Sequence, residues 1–531
     1  MQRAKRAPGL PGDLWKAAFS ALEPSSRVRL NAYSPSFPVV GSRCDGFYLP
    51  DCRNLVLSSL FSADGTVSPS MRRRELMKSA AAGLLVTTVS DAAPILSTEL
   101  KFPTDFAWGV STSALQIEGS LAADGRGPSI WDNVNGGVSR SPPEPAASHY
   151  RLWHEDIRLL QMLGVSAYRY SIAWPRLFPK ASAPLNEAGL AFYDRLTDAV
   201  LSVGVEPWVC LHHWDLPEWV QQQGGWIRRD TVERFLEYAR TVVRRLGDRV
   251  RHWIPLNEPN IVAYAGYGAG VWPPKLMNEE FFFDAVHHQN LAIGRLCREL
   301  RQPGWQVGPV LAFGPIRPAS GDARDVAAAE LQRLVLEDAF LGPILLGHYP
   351  EALKIRMAPL LADGDLGTIH RAADFIGINY YGPMYRRAWP GAPFSNDGNV
   401  KLEGSPVTDG KIVIDPEGLG EILRLLRDHY DNPPVVITEN GAAFDENVQD
   451  AQIQDQNRIA YLRAHLQVAN RELSTGSNLR GYFVWTLLDD WEWTSGYDLK
   501  YGLVHVNFET GDRRPKSSFD WYSSIIRSAR D

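Results

Sequence analysis

Short apolar runs alternate with amphipathic stretches from about residue 105 to the end of the chain. Runs bounded by turn residues, with little internal polarity, read as strands buried on both faces. The longer stretches between them carry apolar residues at helical spacing. Repeated strand–helix units of this kind argue a parallel sheet. Strands are expected at 106–110, 167–171, 206–211, 252–256, 306–312, 375–379, 435–438 and 482–485. Helices are expected between them, for example at 148–163, 187–203, 231–246, 279–300 and 452–473. Eight such strands close a barrel, so the expected fold is α/β, a (β/α)8 TIM barrel over residues 100–528. It forms one catalytic domain with long loops after its strands, and such a barrel is compatible with this length without a second domain.

The strand ends hold the chemistry. Val435-Val436-Ile437-Thr438 runs straight into Glu439-Asn440-Gly441. Read alone, Glu439 could equally end a strand or cap a helix. His252-Trp253-Ile254-Pro255-Leu256-Asn257-Glu258-Pro259 repeats the design, with an apolar run, an amide, an acid and a turn-forming proline. In a parallel barrel, both acids sit on the rim where active sites form. Two facing carboxylates are what cleavage of a glycosidic bond requires.

Taken with its neighbours, Ile437-Thr438-Glu439-Asn440-Gly441 resembles the nucleophile signature of glycoside hydrolase family 1, the β-glucosidase family. Leu256-Asn257-Glu258-Pro259 resembles that family's acid/base signature. The resemblance spans roughly 102–522. It implies a retaining β-glycosidase acting on terminal β-glucosyl residues, with Glu439 as nucleophile and Glu258 as acid/base. Further strand-end motifs carry further roles by the same resemblance. Gln116 and His213 would bind sugar hydroxyls, and Arg169 would keep Glu439 ionised. Asn257 would hold the 2-hydroxyl, Tyr381 would hydrogen-bond the nucleophile, and Asn379 would line the same site. In Trp485-Thr486-Leu487-Leu488-Asp489-Asp490-Trp491-Glu492-Trp493, Trp485 would be the stacking floor. Glu492 and Trp493 would hold the hydroxyls far from the scissile bond. The family usually has Asn and Phe where this chain has Asp490 and Trp491. Glu258 argues against a thioglucosidase, and Glu492 would repel a phosphorylated sugar. A galactosidase, a fucosidase or a transglycosidase of the same family, or an inactive sugar-binding barrel, are the alternatives.

Composition narrows the partners. Net charge is −6, and no basic stripe points to nucleic acid or to an anionic membrane. The expected ligand is a small β-glucoside or short oligosaccharide, and a homo-oligomer is compatible with the sequence. His212-His213 does not read as a metal site, because neighbouring strand side chains point to opposite faces. The chemistry calls for no metal or organic cofactor. Cys210 and Cys297 read as free core thiols.

Residues 1–70 lack periodicity and read as an unstructured upstream segment. Residues 71–95 combine Arg72-Arg73-Arg74-Glu75-Leu76-Met77-Lys78 with a short apolar stretch. This resembles a twin-arginine export signal, with a basic linker as the bland reading. The expectation is that translation starts at Met71 and that the mature protein is periplasmic or secreted. A leader that does not function would leave it cytoplasmic. N-terminal sequencing of the native protein tests this, and a mature chain retaining residues 1–70 would refute it.

Overall fold

The computed structural model describes residues 100–132, 141–388, 400, 403–449 and 451–530. The upstream segment and the export-signal expectation at 71–95 lie outside the described residues. Among the described residues, nine strand segments pair in parallel in one sheet. They are β1 (Ala107–Ser111), β2 (Ala167–Ser171), β3 (Glu206–Cys210), β4 (His252–Ile254) and β5 (Gln306–Val307). Then come β6 (Val310–Ala312), β7 (Ile376–Tyr380), β8 (Val435–Asn440) and β9 (Leu479–Trp485). Neighbours pair in chain order, and β1 also pairs with β9.

The stretch 306–312, expected as one strand, is two. Pro309 has no N–H for a ladder bond, so the run breaks at Gly308-Pro309. β5 pairs with β4 and β6 pairs with β7. The break also closes the ring. Gly308 N–H donates to the Trp253 carbonyl at 3.1 Å, Gly377 N–H donates to the Pro309 carbonyl at 2.9 Å, and Asn257 bridges Val310. The two halves serve as the fifth strand of an eight-stranded barrel.

A long helix follows each barrel strand: α1 (His149–Leu163), α2 (Glu187–Ser202), α3 (Asp230–Leu246), α4 (Glu279–Glu299), α5 (Ala323–Arg333), α6 (Pro416–His429), α7 (Gln456–Ser474) and α8 (Ser517–Ser528). Among the described residues, no helix is long and apolar enough to cross a membrane. α6 starts where its sequence says it should. Pro416 stands at the first helical position, and the Asp415 side chain accepts from Gly418 N–H.

Side chains pointing inward plug the barrel. Ala167, Trp208, Cys210, Ile254, Val310, Phe375, Val436 and Phe483 form one buried cluster. The Trp208 ring packs 5.1 Å from Phe483 and 5.4 Å from Phe375. Phe483 fits because β1 offers Gly109, where a Cβ would come within 2.2 Å of the Phe483 ring. With the interior filled, a ligand can enter only at the rim. Cys210 lies in this plug and Cys297 on α4, both buried and free.

Candidate active site

The carboxyl ends of the strands converge on a cavity of about 410 Å³. Nine of the eleven expected site residues line it: Gln116, His213, Asn257, Glu258, Tyr381, Glu439, Trp485, Glu492 and Trp493. Arg169 and Asn379 do not. Both are fully buried beneath the floor and act on the cavity through their neighbours. Asn379 reaches the site from β7 through its amide, which donates to Glu258 Oε1 at 2.6 Å.

Glu439 ends β8 with two donors on its carboxylate. Arg169 Nη1 donates to Oε1 at 2.5 Å, and Tyr381 Oη donates to Oε2 at 2.6 Å. Gly441 two residues on is obligatory, since a Cβ there would lie 1.8 Å from the Trp485 carbonyl oxygen. Glu258 follows β4 and sits in the left-handed region at φ 48°. Left-handed backbone at a non-glycine residue costs on the order of 1–2 kcal/mol. Trp214 and Trp493 beside the cavity adopt it too, at φ 74° and 48°. Such strain gathers at sites where side-chain aim matters more than backbone ease.

One network ties the two acids together. Arg169 Nη2 donates to Asn257 Oδ1 at 2.5 Å. Asn379 Nδ2 donates to the same oxygen at 3.0 Å and to Glu258 Oε1 at 2.6 Å. The Asn379 amide also reaches Glu439. Asn379 thus links the two acids through one side chain. Thr438 Oγ1 donates to Asn379 Oδ1 at 2.8 Å and fixes which way that amide faces.

The surroundings separate the two acids. Burial pushes the Glu258 carboxyl up, the Glu439 charge pushes it further, and the Asn379 amide opposes, leaving it at about 8. Burial raises Glu439 as well, but Arg169 and Tyr381 favour its charged form. Arg169 stays charged, because the Glu439 carboxylate beside it outweighs the penalty of burial. Glu258 therefore holds the proton and Glu439 the negative charge.

The inner end of the cavity is polar. Asn257 Nδ2 contacts His213 Nε2 at 3.1 Å. The Asn257 oxygen already accepts from Arg169 and Asn379, so its NH2 donates here and His213 carries its proton on Nδ1. Burial drives His213 well below its ordinary value and keeps it neutral. Its ring lies nearly parallel to Trp493, 6.0 Å away. His212 points away, edge-on to Trp226 at 5.8 Å. Trp485 Nε1 donates to Glu492 Oε1 at 3.3 Å. Ser113 Oγ donates to Gln116 Oε1 at 2.6 Å and turns that amide's NH2 toward Glu492.

The outer end is different. Ile261, Trp272, Ile412 and Leu499 line it, with Thr494 and Ser495 beside them. The sequence reading missed these residues. They stand on long loops after β4, β7 and β9, where no period or spacing marks a residue as cavity-lining. Part of the loop after β7, residues 389–399 and 401–402, lies outside the described residues. Elsewhere, Glu446, Asp489 and His505 stand at metal-ligand spacing. Lys516 Nζ already lies 2.8 Å from both of those carboxylates and supplies the positive charge.

Known proteins share this arrangement. The chain is 39% identical over 439 residues to Beta-glucosidase A of Thermotoga maritima, covering 81% of this chain and 98% of that one. It is 41% identical over 441 residues to a Beta-glucosidase of an Agrobacterium species, covering 80% and 95%. Its structure is similar to that of the Thermotoga maritima β-glucosidase in complex with deoxynojirimycin, with a TM-score of 0.76 at 40% identity, covering 81% and 99%. The model of the family described as Glycosyl hydrolase family 1 matches residues 98–530, which take in every barrel strand and both rim glutamates. On that match, and on relatives this similar over nearly their whole length, the chain belongs to glycosyl hydrolase family 1.

Proposed function

We propose that this protein is a retaining β-glucosidase that hydrolyses terminal β-D-glucosyl residues. The observation that carries the reading is the pair of buried glutamates at the cavity, Glu439 held between Arg169 and Tyr381 and Glu258 joined to it through Asn379. Glu439 attacks the anomeric carbon as Glu258 protonates the leaving oxygen, which gives a glucosyl-enzyme ester on Glu439. Forming the ester removes the Glu439 charge that raised Glu258, so Glu258 becomes a stronger acid whose conjugate base can take a proton from water. Water then attacks the same carbon, and two inversions retain configuration. Retention needs the two carboxyl groups about 5–5.5 Å apart, against about 6.5–9.5 Å for inversion, and the link through Asn379 supports the closer spacing.

Turnover of a 4-nitrophenyl β-glucoside, with the first-formed anomer followed by NMR, tests the reading. The β-anomer is expected first, and an α-anomer would refute retention. Running the galactoside and fucoside in parallel separates the glucosidase from its relatives. The apolar outer end supports aryl or alkyl aglycones over a second sugar. A kcat/KM at least about tenfold higher for the aryl glucoside than for cellobiose is expected, since each buried apolar group contributes on the order of 1 kcal/mol.

The two acids also set a pH dependence. Glu439 must be ionised and Glu258 protonated in the free enzyme. The acid limb of kcat/KM follows protonation of Glu439. The alkaline limb follows loss of the Glu258 proton, with activity falling as pH rises through about 8. An alkaline limb that persists unchanged when Glu258→Gln is combined with Asp490→Asn would contradict the assignment.

A further inference from the structure

Asp490 is fully buried two residues before Glu492, at the closed end of the cavity. Among the described residues, neither of its oxygens meets a donor. Its polar contact is the Glu492 carboxylate. Two buried carboxylates in contact repel, and an unpaired buried charge is costly. A carboxylic acid donating to a carboxylate removes both penalties at once.

We propose that Asp490 is held protonated and donates its O–H to Glu492, so that the pair presents one fixed negative charge to the hydroxyls of the bound sugar. Asp490 is then a positioning residue. Trp485 Nε1 holds one oxygen of Glu492, and the Asp490 proton holds the carboxylate from the other side. The family pattern usually has an amide at 490, which donates at any pH. An acid donates only while it keeps its proton. The substitution therefore makes sugar binding depend on pH in a way an amide would not.

The surroundings favour the neutral form. Burial raises Asp490, and Glu492 and Asp489 add to it, with Lys500 opposing. Asp489 is itself neutralised by Lys516 at 2.8 Å. Tyr497 and Tyr501 also face Asp490. Glu439, Glu258 and Tyr381 face Glu492 from across the cavity. None of these supplies a second cation that would ionise Asp490. As pH rises, the proton is lost, a second negative charge appears beside Glu492, and the carboxylate loses its anchor.

The proposal rests on the glucosidase reading, so its test reads binding rather than turnover. In a Glu258→Gln background the acid/base group no longer titrates. Glucose binding is followed there by tryptophan fluorescence from neutral pH upward, as far as the fold holds. With Asp490 present, affinity is expected to fall by about fivefold or more across this range, since one ionisation changes affinity up to tenfold per pH unit. With Asp490→Asn added, the fall is expected to vanish. Asp490→Ala is expected to bind more weakly at every pH, and Asn to restore affinity. The same alkaline fall with Asp and with Asn would overturn the proposal. Absence of glucose binding with Asp490 in place would instead count against the glucosidase reading. If Asp490→Ala fails to fold, infrared spectra of the Glu258→Gln protein with and without Asp490→Asn decide. A protonated-carboxyl band that is lost on alkaline titration and is absent with Asp490→Asn supports the proposal, and identical bands in both proteins overturn it.

Discussion

Glu439→Ala is expected to lower kcat on an aryl β-glucoside by at least about 10⁴-fold, on the order of 5 kcal/mol of transition-state stabilisation. Glu439 stands between Arg169 and Tyr381 at the cavity, where the proposed mechanism needs its nucleophile. The variant leaves the Arg169 charge buried without its counter-ion, and breaking such a pair can cost about 3–5 kcal/mol of stability. A melting curve is therefore needed beside the kinetics. A chemical rescue separates lost fold from lost nucleophile. Azide is small and anionic, and it can enter the vacated space opposite Arg169. Its nitrogen bonds the anomeric carbon as the aryl oxygen leaves with the Glu258 proton. One inversion gives an α-glucosyl azide. Retained turnover without azide, or a β-azide product, would remove Glu439 from the nucleophile's role.

Glu258→Gln is the second large effect, and it depends on the leaving group. For alkyl glucosides, whose leaving oxygen needs a proton, kcat/KM is expected to fall by about 10²–10⁴-fold. For a dinitrophenyl glucoside, a good leaving group without protonation, the first step should survive. The second step should then limit, because no base remains to activate water. A burst of dinitrophenol, followed by slow turnover and a glucose-sized mass increase on the protein, is the expected pattern. Azide, which needs no general base, should release a β-glucosyl azide by double inversion. The same anion thus gives opposite products from the two variants. Equal losses on both substrates with no burst would mean that Glu258 does not protonate the leaving group.

Much of the site was legible because its residues sit at strand ends. An apolar run followed by Asn257-Glu258-Pro259 or Glu439-Asn440-Gly441 states the burial and the turn, and the repeated strand–helix pattern with the family resemblance then places both acids on the rim. Arg169 was legible for a related reason, since a cation inside an apolar strand needs a partner. α5 was harder to read, because its alanines give little apolar periodicity. The split of 306–312 was missed, although Pro309 was in view. A proline inside an apolar run can end a strand or sit at its edge, and only the pairing partners on either side decide. The outer cavity wall was not legible, because Ile261, Trp272, Ile412 and Leu499 come from separate loops whose paths depend on what they pack against.

The sequence by itself determined the barrel, the two acids and their places on its rim, since hydrophobic period and turn chemistry act over a few residues. Tertiary structure alone decided which acid keeps the proton. That difference comes from Arg169, Tyr381 and Asn379 arriving from two other strands, at distances where charge and hydrogen bonding act through a desolvated interior. It also buried Asp490 with, among the described residues, no donor for either oxygen, because burial is a property of the folded chain and not of any stretch of it.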